Sequence, residues 1–438
     1  MASDSRDYFA PGTAARHPYA VSYCGEFETV WDGTAVAVRS HARALASTGI
    51  PVVLQSFSHI VVDEHGVAAP VYATGIPDQV VHEVGELIQA TGSSLFPVIR
   101  HLVVRSGEHL RQVIVPKGIR AAASSSQSVE EGMKLREQAY AATIIYSVWE
   151  RDRVDPEIAR HLSKVCQCWV PSTHNALMLE ASGVPPAKIH VVPHPFDPSD
   201  NLHVLTRRPV DMHEGWKLFY SIGRWEPRKA YHELIGAFLQ AYRYTDQARL
   251  TIKYTGGDWL GYPTPKEALQ YWAEHPNVRA MGWTPIKIEA RVELIGERIP
   301  RDKIVRMHFR NNIYVAASHG EAWCLPAFEA KLAGNALVHV PYGGTADFSS
   351  LDDLRVQSWP GLAHSSYGWE AGAQWAEFNV GDLAAVLKQA TVPSSHQRDP
   401  KLNIYSSEVV GQQMADLIIE AAAARPDVQA YLRSKRKS

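Results

Sequence analysis

Two runs of alternating strand and helix patterns constrain the fold of this chain more than any other feature. The first run predicts strands over 20–24, 51–55, 141–148 and 166–170, and helices over 34–48, 156–164 and 175–182. Such alternation is typical of parallel sheets with helices on both faces. A second run starts at Trp216, after a stretch with little periodicity, 194–213. The 438 residues are enough for two domains, so we expect an α/β protein with two Rossmann-like domains.

Two basic residues follow the first predicted strand of the second run. The apolar stretch 217–223 precedes Arg224 and Lys229, and the stretch 232–242 then has apolar residues at helical spacing. In open α/β sheets, ligands bind at the carboxyl ends of the strands. Two cations at that place would neutralise a diphosphate and stabilise it as a leaving group. The alternative is that both residues form surface ion pairs with Glu226.

Two glutamates, Glu321 and Glu329, lie in and after a second strand-to-helix connection. The strand is predicted over 313–317 and the helix over 325–332, which places Glu321 in the loop and Glu329 about one turn inside the helix. Unpaired N–H groups at a helix start attract phosphate, and a nearby carboxylate suits sugar or ribose hydroxyls. The hypothesis is a nucleotide-sugar site. The alternatives are a helix-terminal acid at 321 and a solvated surface carboxylate at 329.

Together these segments resemble the retaining glycosyltransferases of family 4, which have the two-domain GT-B fold. The resemblance is strongest over 143–350, and it includes two further matches, 189–194 and 341–345. It implies an acceptor-binding domain over 1–197 and a nucleotide-sugar-binding domain over 214–404. It also implies a final segment, 405–438, whose helix over 408–424 crosses back to the first domain and ends in a basic tail.

The resemblance also implies roles for individual residues. Arg224 and Lys229 would bind the donor diphosphate, Glu321 would lie against the transferred sugar, and Glu329 would bind the ribose hydroxyls. The other implied donor-binding residues are the following: Gly33 and Thr34 in a glycine loop, Gly282 and Trp283 after a strand predicted over 277–280, and Cys324 and Leu325 at the helix start.

Four further residues are candidates for the cleft, namely Trp149, Glu150, His101 and His174. Trp149 and Glu150 come at the end of a predicted strand, where the alternative is a structural ion pair. The family commonly has glycines where this chain has Ala322 and Cys324. A side chain at 324 narrows the room beside the sugar.

The activity implied is transfer of a hexose from a nucleoside-diphosphate sugar to an acceptor hydroxyl, with retention of the anomeric configuration. The nucleotide sugar is then a substrate, no cofactor is required, and Arg224 and Lys229 take the place of a metal ion. The histidines show no H-E-x-x-H spacing. Alternatives with the same fold are a glycoside phosphorylase and a nucleotide-sugar epimerase. An alternative from another class is a non-catalytic nucleotide-sugar-binding subunit.

Composition bounds the location and the acceptor. A net charge of −2 gives no overall polycation for nucleic acid, so a glycan, a lipid-linked sugar or a small molecule is expected as acceptor. The chain has four cysteines without metal-site spacing, and it has no apolar signal region or long apolar run. These features predict a cytoplasmic protein.

The stretch 93–120 has five Lys and Arg against the single acid Glu108. It is either a basic face for an anionic surface or an ordinary strand and helix; the tail 433–438 is equally ambiguous.

Overall fold

The structure is a computed structural model of the chain. It describes residues 21–25, 33–50, 52–56, 60–62, 68–70, 98–104, 106–115, 129–196, 215–257, 259, 261–363, 372–394 and 397–425.

The first domain is built on a six-stranded parallel sheet with the strand order β2-β1-β5-β6-β7-β8. Its strands are β1 (Val21–Gly25), β2 (Val52–Ser56), β5 (Val98–His101), β6 (Thr143–Tyr146), β7 (Gln167–Val170) and β8 (Ile189–Val191). A small antiparallel hairpin pairs β3 (Ile60–Val62) with β4 (Ala68–Pro70). The helices are α1 (Gly33–Ala46), α2 (Gly107–Ile114), α3 (Val129–Ala142), α4 (Pro156–Leu162) and α5 (Thr173–Ala181), followed by the 3-10 turn Pro186–Lys188.

The second domain repeats this plan with the strand order β11-β10-β9-β12-β13-β14, again all parallel. Its strands are β9 (Lys217–Arg224), β10 (Ala248–Thr255), β11 (Val292–Ile295), β12 (Ile313–Ala316), β13 (Ala336–His339) and β14 (Leu354–Arg355). An antiparallel hairpin pairs β15 (Trp359–Leu362) with β16 (Gln374–Glu377). The helices are α6 (Tyr231–Ala241), α7 (Pro265–Glu274), α8 (Pro276–Ala280), α9 (Pro285–Glu289), α10 (Arg301–Arg310), α11 (Leu325–Leu332), α12 (Thr345–Phe348), α13 (Val380–Gln389) and α14 (Ser407–Ala423), with 3-10 turns at Pro227–Lys229 and Pro400–Tyr405.

The last helix, α14, returns to the first domain, as expected. Gly411 allows the contact with α1, because a Cβ there would lie 2.1 Å from the carbonyl oxygen of Ala44. Gln413 Nε2 donates a hydrogen bond of 2.7 Å to the carbonyl oxygen of Val191, at the end of β8. Helix α14 is therefore docked on both a helix and an edge strand of the first domain.

Most predicted elements of both runs are present, and the deviations have local causes. The strand predicted over 141–148 begins at Thr143, because Ala141 and Ala142 complete helix α3. The strand predicted over 277–280 is wrong: Pro276–Ala280 is a helix, with proline at its first turn, where the missing N–H is no loss.

Parts of the predicted stretches 194–213 and 93–120, and the whole of the tail 433–438, lie outside the described residues. In the described part of 93–120 the chain forms β5 and α2, and Arg111 pairs with Glu108 at 2.7 Å on the exposed surface. Among the described helices, none has both the length and the apolar composition needed to cross a bilayer.

Candidate functional site

The loop between β12 and α11 holds Glu321 against a second loop of the same domain. The amide of Gly344 donates a hydrogen bond of 2.8 Å to the carbonyl oxygen of Glu321. Gly343 has φ +88°, and a Cβ on it would lie 1.9 Å from that same oxygen. Only glycine fits this contact, both sterically and conformationally. The 341–345 motif thus fixes the backbone of the loop that carries Glu321, and Glu321 is only 5% exposed.

Lys229 and Glu321 form a buried ion pair, which the sequence did not indicate. Lys229 ends the 3-10 turn that follows β9, and its Nζ donates to Glu321 Oε1. Burial alone would raise the pKa of Glu321, but Lys229 and Arg228 outweigh it and lower that pKa to about 2. Burial alone would lower the pKa of Lys229, whereas Glu321 raises it above its ordinary value. Both groups are therefore charged at neutral pH.

Arg228 is a central residue of the site that the sequence analysis missed. Its Nη1 lies 3.2 Å from Glu321 Oε2, and its Nη2 lies 2.6 Å from Glu226 Oε1 and 3.2 Å from Glu150 Oε1. We call Glu150, Glu226, Arg228, Lys229 and Glu321 the charge cluster. Adjacency to Lys229 was the only signal for Arg228 in the sequence, and no spacing rule distinguishes it.

Arg224 is not part of the charge cluster. It ends β9 and its side chain is exposed. Within the described part of the chain, Arg224 makes no ion pair and no side-chain hydrogen bond. The carboxylate of Glu226 pairs with Arg228 instead, so the alternative of Arg224 and Lys229 paired with Glu226 is wrong. Arg224 remains at the same carboxyl edge of the sheet with its guanidinium open to solvent.

Glu329 is buried at 6% exposure, and its carboxylate is already paired. Arg301, at the start of α10, donates from Nη1 to Oε2 at 2.9 Å and from Nη2 to Oε1 at 2.5 Å. His308 Nε2 lies 3.2 Å from Oε2. Burial alone would raise the pKa of Glu329, but Arg301 and His308 lower it to about 2. The surface-carboxylate alternative is therefore wrong for Glu329, and the exposed-acid alternative is wrong for Glu321.

The start of α11 meets the start of α1 across the two domains. Gly33 is the first residue of α1, and a Cβ on it would lie 3.7 Å from Leu325 Cδ1. Thr34 follows in the first turn of α1. Cys324 precedes α11 in the left-handed region, with φ +69°, and burial raises the pKa of its thiol to about 12. The structure thus brings Gly33, Cys324 and Leu325 to one place, and the thiol there is neutral.

Gly282 and Trp283 lie away from this place. Trp283 is 4% exposed, and its Nε1 donates to the carbonyl oxygens of Leu239 at 2.9 Å and Tyr242 at 3.0 Å. Those carbonyls are at the end of α6, which runs from the carboxyl edge of the sheet back to the amino edge. Gly282 and Trp283 are therefore at the edge opposite the charge cluster, which contradicts their predicted placement in the base pocket. The chain that does follow β11 at the carboxyl edge begins at Gly296.

Glu150 contacts the second domain through both its side chain and its backbone. Its carboxylate is the one that approaches Arg228, and a Cβ on Gly320 would lie 2.1 Å from its carbonyl oxygen. Burial raises the pKa of Glu150 even though Arg228 opposes that effect. Trp149 is buried beside it, with its backbone held by Asn175 through bonds of 3.1 and 2.7 Å. Glu150 thus both faces the cleft and forms an ion pair across it.

The contacts given for the two candidate histidines are with residues outside the charge cluster. His101 is 2% exposed at the end of β5, and its Nδ1 lies 2.9 Å from the hydroxyl oxygen of Tyr23. Burial lowers its pKa well below the ordinary value, so it is neutral. His174 packs its ring 4.6 Å from that of Tyr342 in the second domain. Among the described residues, no three His, Cys, Asp or Glu side chains could hold a metal ion.

Several solved structures align with almost the whole chain. HepE of Anabaena, bound to UDP and glucose, aligns over 92% of this chain and 100% of its own, with a TM-score of 0.54 and 12% identity. The α,α-trehalose 6-phosphate synthase of Burkholderia multivorans aligns over 93% of this chain and 99% of its own, with a TM-score of 0.56 and 13% identity. The lipopolysaccharide outer core galactosyltransferase WaaB aligns over 92% of this chain and 99% of its own, with a TM-score of 0.52 and 15% identity.

The fold is GT-B. At these identities the likeness shows the fold alone. No protein-family model matches the sequence, and neither does any curated protein sequence.

Proposed function

We propose that this protein is a retaining glycosyltransferase similar to those of family 4, which moves a hexose from a nucleoside-diphosphate sugar to an acceptor hydroxyl. The observation that supports it most is the buried pair of Lys229 and Glu321 at the carboxyl edge of the second sheet, with Gly33 of the first domain near the start of α11. A carboxylate and cations at this edge suit sugar hydroxyls and phosphates respectively. HepE, which shares the fold, has been crystallised with UDP and glucose.

In this proposal Lys229 and Arg224 bind the donor diphosphate. Arg224 is open to solvent and needs no rearrangement to meet an entering phosphate, whereas Lys229 must share its ammonium between Glu321 and the phosphate. Glu321 then accepts a hydrogen bond from the transferred sugar, because its low pKa keeps it ionised. The amide of Leu325 at the start of α11 adds a donor for phosphate or sugar.

The reaction proposed is a front-side displacement. The bond between the anomeric carbon and the diphosphate oxygen breaks, and the acceptor oxygen bonds to the same face of that carbon. The acceptor proton passes to the departing diphosphate, whose charge Arg224 and Lys229 stabilise in the role that a metal ion plays elsewhere. The acceptor is a glycan, a lipid-linked sugar or a small molecule. A cytoplasmic location, with contact to an anionic surface through 93–120 or the tail, remains part of the proposal.

A two-step experiment tests this function. The purified chain is first titrated with UDP- and GDP-sugars by thermal shift, in which a bound donor raises the melting temperature. The stabilising donor is then incubated with candidate acceptors, and the anomeric configuration of the product is determined by NMR. We expect a transfer product with the donor's configuration. Release of sugar 1-phosphate with inorganic phosphate would indicate a phosphorylase instead. Donor binding without any product would indicate a binding subunit.

A further inference from the structure

The hydrogen bonds of Glu329 determine how it can recognise a ribose. An ionised carboxylate has about four acceptor positions, two on each oxygen. Arg301 occupies one on each oxygen, at 2.9 Å on Oε2 and 2.5 Å on Oε1. His308 occupies the second position on Oε2, at 3.2 Å. Counting the contacts of the described residues, one position remains, on Oε1.

The contact with His308 is fixed by a chain of buried groups. The carboxylate of Glu329 is ionised and can only accept, so the proton of His308 lies on Nε2. Burial lowers the pKa of His308, so the ring is neutral and Nδ1 accepts from the hydroxyl of Tyr220, at 2.8 Å. That hydroxyl accepts in turn from Asn335 Nδ2 at 2.7 Å. Each donor in the chain has an acceptor, so rotating His308 away would leave buried polar groups unpaired.

The contact of Glu329 with Arg301 is more exposed to solvent than its contact with His308. Its side chain is 35% exposed, whereas that of Glu329 is 8% exposed. Arg301 begins α10, which follows the carboxyl end of β11, so it lies at the edge of the sheet where a nucleotide is expected. A bidentate pair between guanidinium and carboxylate is strong and geometrically specific. A ribose must therefore bind Glu329 with Arg301 still in place, or displace it.

We propose that Arg301 is a specificity-determining residue of the donor site: it stays on Glu329, so the carboxylate accepts a hydrogen bond from only one of the two ribose hydroxyls. This inference rests on the proposed function, because it presumes that a nucleotide binds beside Glu329. Its consequence is a donor site that tolerates the loss of one ribose hydroxyl and not of the other. In a site whose carboxylate is free, both hydroxyls contribute.

The test is calorimetric titration of the full chain with UDP and GDP, and with the 2′-deoxy and 3′-deoxy forms of whichever nucleotide binds. For the wild-type protein we expect one deoxy form to bind about tenfold or more weakly than the parent, because a hydrogen bond to a charged group is lost. The other deoxy form should bind within about twofold of the parent.

In the Arg301→Ala variant both oxygens of Glu329 have a free position, so both deoxy forms should bind more weakly than the parent. Arg306→Ala is the matched control, because Arg306 is exposed on the same helix and its Nε lies 3.7 Å from Asp302 Oδ2. This variant should show the same difference between the two deoxy forms as the wild type. Equal losses for both deoxy forms in the wild type, or an unchanged pattern in Arg301→Ala, would overturn the inference alone. Absence of binding by every nucleotide and nucleotide sugar would overturn the proposed function as well.

Discussion

Replacing Lys229 by methionine separates the structural effect of the buried pair from its proposed catalytic effect. Methionine keeps much of the length of lysine and removes the charge, so Glu321 would be left buried with Arg228, whose Nη1 lies 3.2 Å from Oε2, as its remaining charged partner. The pKa of Glu321 is lowered from its ordinary 4.5 to about 2, and a lowering of that size corresponds to about 3 kcal/mol of stabilisation. Because the cost of burying Glu321 remains after Lys229 is removed, we expect Lys229→Met to reduce the free energy of unfolding by about 3 kcal/mol or more.

A double-mutant cycle with Glu321→Gln supplies the control. Each single variant leaves one buried charge without its main partner and should be destabilised. The double variant removes both charges, and its free energy of unfolding should return to within about 1 kcal/mol of the wild type. The free energies are measured by urea unfolding followed by tryptophan fluorescence. If the double variant were as unstable as the sum of the singles, the pair would not be the source of the effect.

Transfer activity should not follow stability in this cycle. Removing Lys229 withdraws a cation from the departing diphosphate, which by comparison with oxyanion donors raises the barrier by about 2–4 kcal/mol. We therefore expect turnover to fall about 30- to 1,000-fold in Lys229→Met and to stay low in the double variant, although the fold is restored. Turnover near the wild-type value in either protein would refute the catalytic role of Lys229.

Three other outcomes follow from the same geometry. Arg224→Ala should weaken donor binding about tenfold while leaving the melting temperature unchanged, because its exposed guanidinium makes no described contact; an unchanged dissociation constant would argue against the diphosphate role. Gly344→Ala should lower both melting temperature and activity, since its Cβ would lie 2.1 Å from the Ala322 carbonyl oxygen, whereas Gly381→Ala, with nothing within 4 Å, should be neutral. The ionised carboxylate of Glu329, whose pKa is lowered to about 2, stabilises the fold above about pH 4.5, and this stabilisation should be lost as the pH falls towards 2. In Glu329→Gln the melting temperature should therefore fall less steeply with decreasing pH in this range.

Local patterns sufficed for the elements around the site. The apolar strand over 313–316 and the helix over 325–332 are bounded by glycine, proline and polar residues, so their limits could be predicted almost to the residue. The side of the sheet followed as well, because parallel strands bring their carboxyl ends to one edge. That is why Lys229 and Glu321, 92 positions apart, could be expected at one site.

The residues that were misplaced or missed are those whose position in the site depends on tertiary contacts. The pattern around Trp283 looked like a strand end, but proline at the first turn of α8 makes the preceding segment a helix and sends the indole into the core. Arg228 and Arg301 had no distinguishing spacing in the sequence. Each owes its importance to a carboxylate from a distant segment, which only the folded chain brings within reach.

The charge cluster also explains why an exposed arginine is useful beside it. Glu150, Glu226 and Glu321 provide three carboxylates against two cations, Arg228 and Lys229, and both cations are already paired. A diphosphate entering this surrounding would meet net negative charge unless another cation were present. Arg224 lies at the same edge of the sheet and takes part in none of the described ion pairs. In the proposed function the cluster would therefore mainly orient the sugar, with Lys229 shared between Glu321 and the departing diphosphate, and Arg224 would attract the entering diphosphate.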